Sequence, residues 1–252
     1  DTKSNLKSND YSFALAQGKS FRLEVLKNGY LTETLLVNTA VEEPVISLKA
    51  LLARVPRPLA DLEGLLPIKL YFDNDEPDRK TIATSTNKSF SDAFNAYYQK
   101  KDDFKRLGSR GLGGDDKVIA ESKINNFFDA EVKYGQERLL YFINLMVAHM
   151  DRGEKIDIIV RGYASPLAKA DYNQALSQRR VSSIRNEIAR YRGGLMKRYL
   201  DSGQMTIRLV GFGERSSASG VSDSARDVRK SIYSVEASRE RRVEIDAVEL
   251  KN

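Results

Sequence analysis

The stretch that decides the fold is Arg161–Arg180, RGYASPLAKADYNQALSQRR, where an apolar strand runs into a short loop and then into a helix. Upstream, the run KIDIIV from Lys155 to Val160 is short, Ile-rich and bounded by a turn at Gly162, the signature of a buried strand. After Pro166 the pattern becomes helical, with Asp171 as a candidate N-cap. At about 100° per residue Leu176, Val181, Ile184 and Ile188 fall at roughly 0°, 140°, 80° and 120°, one stripe that should pack on a sheet. On the same wheel Arg180 lies at about 40° and Asn173 at about 60°, inside the stripe, while Arg179 lies at about 300° among solvated positions. An arginine against an apolar face must keep its donors satisfied, usually by a carboxylate, from the protein or from a ligand. The sequence leaves both sources open. Free N–H groups at the helix start would add a second element that attracts anions.

The pattern G-Y-A-S at 162–165, followed by Y-N-x-x-L-S-x-x-R at 172–180, resembles the OmpA-like peptidoglycan-binding domain, whose motif reads G-H-T-D and then Y-N-x-x-L-S-x-x-R-A. V-G-F-G-E at 210–214 and R-R-V-E-I at 241–245 are similar to that family's G-x-G-E turn and final R-R-V-E strand, so four matches fall in order. The resemblance implies an α+β fold, a two-layer OmpA-like sandwich with helices on a mixed β-sheet. It also implies a site that grips the diaminopimelate of the peptidoglycan stem peptide, with the motif Asp on the amino-acid head and the motif Arg on its carboxylate. By position the Arg is Arg180, the Asn is Asn173, and Ser165 stands where the family has Asp. The interval 180 − 165 = 15 equals the family's own, so the acid is absent rather than displaced. Serine accepts a hydrogen bond but brings no charge. Asp73 or Asp75, just after the apolar strand LPIKLYF, is the expected substitute, because the family's first strand ends beside the same pocket. Arg241, on one face of the last strand with Val243 and Ile245, is expected to join Arg180 on the carboxylate. Glu240 departs mildly from the family's Asn or Asp at that position.

The rest of the chain sets the context. Its 252 residues, 41% hydrophobic and 30% charged, have a globular composition. With no cysteine there is neither a disulfide framework nor a Cys-based metal site. The balance of 41 basic against 35 acidic residues favours anionic partners without choosing among them. No signal sequence or initial Met is present, as expected of a mature or excised piece. The most apolar run, Leu139–Met150, is too short to cross a bilayer and reads as a core helix. His149, the single histidine, has no second histidine with which to share a metal and reads as structural.

Residues 10–40 alternate with period two and break at Gly18 and at Asn28-Gly29, predicting β-hairpins. This segment resembles the final strands of carboxypeptidase-regulatory-like β-sandwich domains, and residues 1–42 are expected to be part of one. Residues 43–65 read as a proline-containing linker with a helical turn at LKALLARV, and 66–252 as the OmpA-like domain. An insertion at about 76–120 should carry one helix over SFSDAFNAYYQKKDDFKRL and a glycine-rich loop at 108–116 that lacks phosphate-loop spacing. Tyr97, Tyr98, Lys100 and Lys101 could stack on bases or sugars, but fit better as the core and solvated faces of an amphipathic helix. A further helix is expected over about 121–152, a strand over 205–213, a Ser-rich loop over 215–231 and a final strand RRVEIDAVEL.

The resemblance implies no enzyme and no cofactor. It implies a periplasmic domain at the outer membrane of a Gram-negative envelope, of the multidomain lipoprotein type that includes some linked to type IX secretion. Its partner would be the stem peptide, with other cell-envelope proteins but neither nucleic acid nor a membrane span of its own. The alternatives are a scaffold of the same fold that has lost its ligand, and a glycan hydrolase using Asp73 and Asp75 as paired carboxylates.

Overall fold

The structure, a computed structural model, describes residues 12–25, 33–40, 45–46, 60–213, 224 and 226–251. The chain divides into two compact units, Asp1–Val55 and Pro56–Asn252. In the first, β1 (Ser20–Val25) and β2 (Glu33–Asn38) form an antiparallel pair registered from Ser20↔Asn38 to Val25↔Glu33. The expected hairpin is thus present, and Gly18, at a positive φ of 72°, donates its amide to the Thr39 carbonyl to close the other end. The Asn28-Gly29 turn and the helical turn expected at LKALLARV lie outside the described residues.

The second unit begins earlier than the sequence suggests. Helix α1 (Ala60–Glu63), in the expected linker, places Leu62 in the hydrophobic core. Strand β3 (Ile68–Tyr71) follows, then an irregular segment, then α2 (Phe90–Tyr98) and α3 (Lys101–Gly108). Where one helix was expected there are two, separated at Gln99-Lys100. Helix α2 starts in a reciprocal cap: Ser89 Oγ accepts the Asp92 amide at 3.2 Å and Asp92 Oδ2 accepts the Ser89 amide at 2.8 Å. The glycine-rich stretch is a turn, because α4 (Gly114–Phe127) already starts at Gly114 with Asp115 and Asp116 in its first turn, a favourable place for negative charge. A π-helical segment (Phe128–Lys133) joins α4 to α5 (Tyr134–Asp151).

Strand β4 (Lys155–Tyr163) leads into α6 (Ala170–Asp201), which kinks where Arg192, Gly193 and Gly194 take positive φ. Its N-cap is Lys169 rather than the expected Asp171, whose Oδ1 instead accepts the Tyr172 amide. Strand β5 (Met205–Gly213) follows. The expected Ser-rich loop contains α7 (Val228–Ser231), capped by Asp227, and α8 (Val235–Glu240) comes next before β6 (Arg242–Lys251).

The mixed sheet has the order β3-β6-β4-β5, with β4 and β5 parallel and the other pairs antiparallel. Helices α5 and α6 bury Leu139, Phe142, Ile143 and Met146, and Val181, Ile184 and Ile188, against the sheet side chains Ile68, Leu70, Ile156, Ile158, Val160, Val243 and Ile245. A second cluster of Tyr71, Tyr97, Phe104, Ile124, Phe127 and Phe128 fixes the inserted helices to the edge of this core. At about 1.5–3 kcal/mol per large apolar side chain removed from water, the insertion is an integral part of the fold. Tyr97 belongs to that core, while Tyr98 and Lys101 both bind Asp129. His149 is likewise buried and bonds Glu154 at 2.6 Å. Among the described residues no helix is long and apolar enough to cross a membrane.

Candidate functional site

The motif residues gather where β4 ends, β6 begins and α6 passes over both. Much of the motif is consumed by packing. A Cβ on Gly162 would lie 2.4 Å from the Ser177 carbonyl oxygen, and one on Gly211 would lie 2.7 Å from Ser177 Oγ, so only glycine lets α6 approach β4 and β5 this closely. Ser177 Oγ donates to the Gln174 carbonyl at 2.8 Å and accepts the Gly213 amide at 3.1 Å, while Gln174 Nε2 donates to the Gly211 carbonyl at 2.7 Å. Asn173 is buried and donates Nδ2 to the Ala168 carbonyl at 2.8 Å, tying down the loop that precedes its own helix. Ser165 is buried in that loop.

Arg180 points inward as the wheel requires and is 0% exposed. Its donors go to main-chain oxygens rather than to a carboxylate of the protein. Nε donates to the Glu76 carbonyl at 3.0 Å, Nη1 to the Tyr163 carbonyl at 2.7 Å and Nη2 to the Asp73 carbonyl at 3.3 Å, with the guanidinium 5.4 Å above the Phe72 ring. Burial pushes this guanidinium down from its ordinary value, and the positive charges of Arg241 and Arg179 add to the effect, against the pull of Asp75 and Asp73.

Arg179, expected among solvated positions, is also 0% exposed. Its Nε donates to the Pro77 carbonyl at 3.0 Å and its Nη1 to the Thr81 and Ala83 carbonyls at 2.6 and 2.7 Å. The guanidinium lies 5.5 Å over the Tyr172 ring and leaves Nη2 buried without a well-directed acceptor. The reason for the difference is the segment 73–88, an irregular strap that crosses the helix face a wheel assigns to water. Further along that face Asn186 Nδ2 donates to the Thr86 and Lys88 carbonyls at 2.7 and 3.0 Å, and Arg190 Nη2 to the Asn87 carbonyl at 2.7 Å. The spacing 179, 186, 190 is itself helical, and that polar stripe was the available signal for a second packing face.

The strap also closes on itself. Asp73 Oδ2 pairs with Lys100 Nζ at 2.6 Å and Arg79 Nη2 at 3.1 Å, and Asp73 Oδ1 accepts the Asn74 amide. Asp75 Oδ1 accepts the Tyr172 hydroxyl and its Oδ2 the Lys80 amide. Thr86 Oγ1 donates to Asp78 Oδ2, a bond that holds the Asp78 carboxyl below the usual range against its partial burial, with Lys88 adding to it. Asp75, Asp78 and Lys80 sit in the left-handed region at φ 57–58°, conformations that need this external support. Both acids expected to face a ligand ammonium therefore have partners within the chain.

Arg241, 0% exposed, donates Nη2 to the Ile232 carbonyl and Ser238 Oγ, both at 2.8 Å, and Nε more weakly to the Phe72 carbonyl at 3.4 Å. Its Nη1 is buried without a well-directed acceptor. Arg180, Arg241, Asp73 and Asp75 are close enough for their charges to act on one another, while Asn173 and Ser165 serve the β4–α6 loop. Among the described residues no group of His, Cys, Asp or Glu is arranged to hold a metal ion. Comparison of the chain with family models, curated proteins and solved structures found no match.

Proposed function

We propose that the second unit is an OmpA-like domain that works without catalysis as an interaction scaffold of the cell envelope, with its motif arginines committed to its own architecture. The succession β3, α5, β4, α6, β5, β6 supports the OmpA-like reading. The observation that carries the rest is the set of carbonyls from Asp73, Glu76 and Tyr163 seated on Arg180, where the resemblance implies a ligand carboxylate, with those of Pro77, Thr81 and Ala83 on the neighbouring Arg179. The domain then acts on the periplasmic side of the outer membrane by contacts with neighbouring envelope proteins. Calorimetry with a diaminopimelate-containing muropeptide tests this reading: the folded protein should give no binding heat.

Anchoring to the stem peptide is a second reading, and one observation favours it. Arg179 Nη2 and Arg241 Nη1 are buried donors without acceptors, and a carboxylate could take them if the strap yielded. Binding heat that disappears in Arg180→Lys, with the circular dichroism spectrum unchanged, would overturn the scaffold reading and establish anchoring.

A further inference from the structure

Helix α2 and the residue pair that follows it turn Ala93, Ala96, Tyr97 and Lys100, spaced i, i+3, i+4 and i+7, toward the strap. Between the two lies a pocket of about 280 Å³, whose strap wall carries Glu76 and Lys88 and whose helix wall carries Asp92. This pocket shares Asp73 and Glu76 with the Arg180 site, where their carbonyls take Arg180 donors.

Its chemistry restricts what it can hold. The volume lies just below the ~300–1,000 Å³ of sites for drug-sized ligands, so the occupant is small. An ammonium has three donors. Lys100 Nζ spends one on Asp73 at 2.6 Å, and Lys88 Nζ reaches Glu76 at 3.4 Å and Asp78 at 3.2 Å, so both retain capacity for an added carboxylate. Asp92 uses Oδ2 for the Ser89 amide and a longer 3.8 Å pairing with Arg190 Nη1, and more than half of its side chain is exposed; Glu76 pairs Oε1 with Arg79 Nε at 3.0 Å. A polyanion would meet Asp73, Glu76 and Asp92, a dication would meet the two lysines, and a purely apolar ligand would strip water from all five. Only a molecule carrying both signs close together suits the whole rim, and its uncharged part would rest on Ala93 and Ala96.

We propose that this pocket binds a small zwitterion, from an α-amino acid to a dipeptide in size, with its carboxylate toward Lys88 and Lys100 and its ammonium toward Glu76 and Asp92. The test is titration of the ¹⁵N-labelled full chain with the dipeptide alanyl-alanine, followed by amide chemical shifts. Saturable shifts at Ala93, Ala96 and Lys100 at millimolar dipeptide are expected. Acetylation of the peptide amine or amidation of its carboxylate should each abolish them. Ala96→Trp, which fills the pocket from an exposed helix position, should weaken binding by roughly tenfold or more, equivalent to about 1.4 kcal/mol; Lys88→Gln, on an exposed side chain, provides the same check should the tryptophan disturb folding. Absence of saturable shifts, equal shifts with the doubly capped peptide, or shifts confined to Ser165 and Asn173 would each overturn the proposal.

Discussion

Two long faces of α6 are both in contact with the rest of the fold, and by opposite chemistry. One lays Leu176, Val181, Ile184 and Ile188 on the sheet; the other lays Arg179, Asn186 and Arg190 on the strap. Apolar contact has no direction, so that face should tolerate changes of shape that keep volume. The strap face is all direction: planar forks and amides aimed at main-chain oxygens, where hydrogen bonds to a charged group are worth about 1.5–3 kcal/mol each and an orphaned partner costs about 1–3 kcal/mol. The helix thus combines a forgiving attachment with an exacting one. The strap's carbonyls satisfy most of the donors of Arg179 and Arg180, the guanidinium groups buried beneath it.

The largest expected effect is that of Arg180→Ala, which removes three hydrogen bonds and leaves a void under the strap. Urea unfolding should show a loss of about 3–5 kcal/mol. Arg180→Met restores volume without donors and should still cost about 1–3 kcal/mol, whereas Ile184→Leu, whose contacts are purely apolar, should cost less than about 1.5 kcal/mol. Equal tolerance at the two positions would break the contrast.

Gly162→Ala sharpens it from the sheet side. The new methyl has a backbone carbonyl to displace rather than a flexible side chain, so the expected loss is about 1–3 kcal/mol by the same measurement. Arg179→Lys keeps the charge but loses the fork, and a loss of about 1–2 kcal/mol is expected, accompanied by faster hydrogen exchange confined to 73–88.

The smallest effect is the pH response of the strap. The Asp78 carboxyl is lowered in the folded chain, so the stability it adds is fully present above its ordinary pKa and is lost as pH falls through the depressed folded value. Its side chain is partly exposed, which keeps the effect small. Exchange in the strap should therefore rise under acid while exchange in β4 stays slow. Asp78→Asn should show the loosened strap already at neutral pH. A strap in that variant as protected as the wild type would show that Thr86 and Asp78 do not hold it.

What could be read in the sequence was whatever repeats. The stripe of α6, the strand KIDIIV, the first strand after Pro67 and the inward position of Arg180 all follow from periodicity, because burial of apolar faces leaves a period behind. The strap left no period in its own sequence, only the polar stripe on α6. Its partners are carbonyl oxygens, which every residue carries, so no side-chain pattern marked residues 73–88 as the acceptor for Arg179 and Arg180. A wheel built on apolar positions then placed Arg179 in water. The short helices α7 and α8 were masked by their serines, two of which, Ser231 and Ser234, donate side-chain hydrogen bonds to the chain four residues back.

Recognition by carbonyls has one more consequence. Arg179 and Arg180 register where the strap's main chain runs and are indifferent to which side chains it carries. Between the anchors at Pro77 and Ala83, Ile82 already projects outward, 78% exposed. The strap is in that sense a mount with fixed pegs and interchangeable fittings. New surface chemistry can be introduced at such positions without renegotiating the fold beneath.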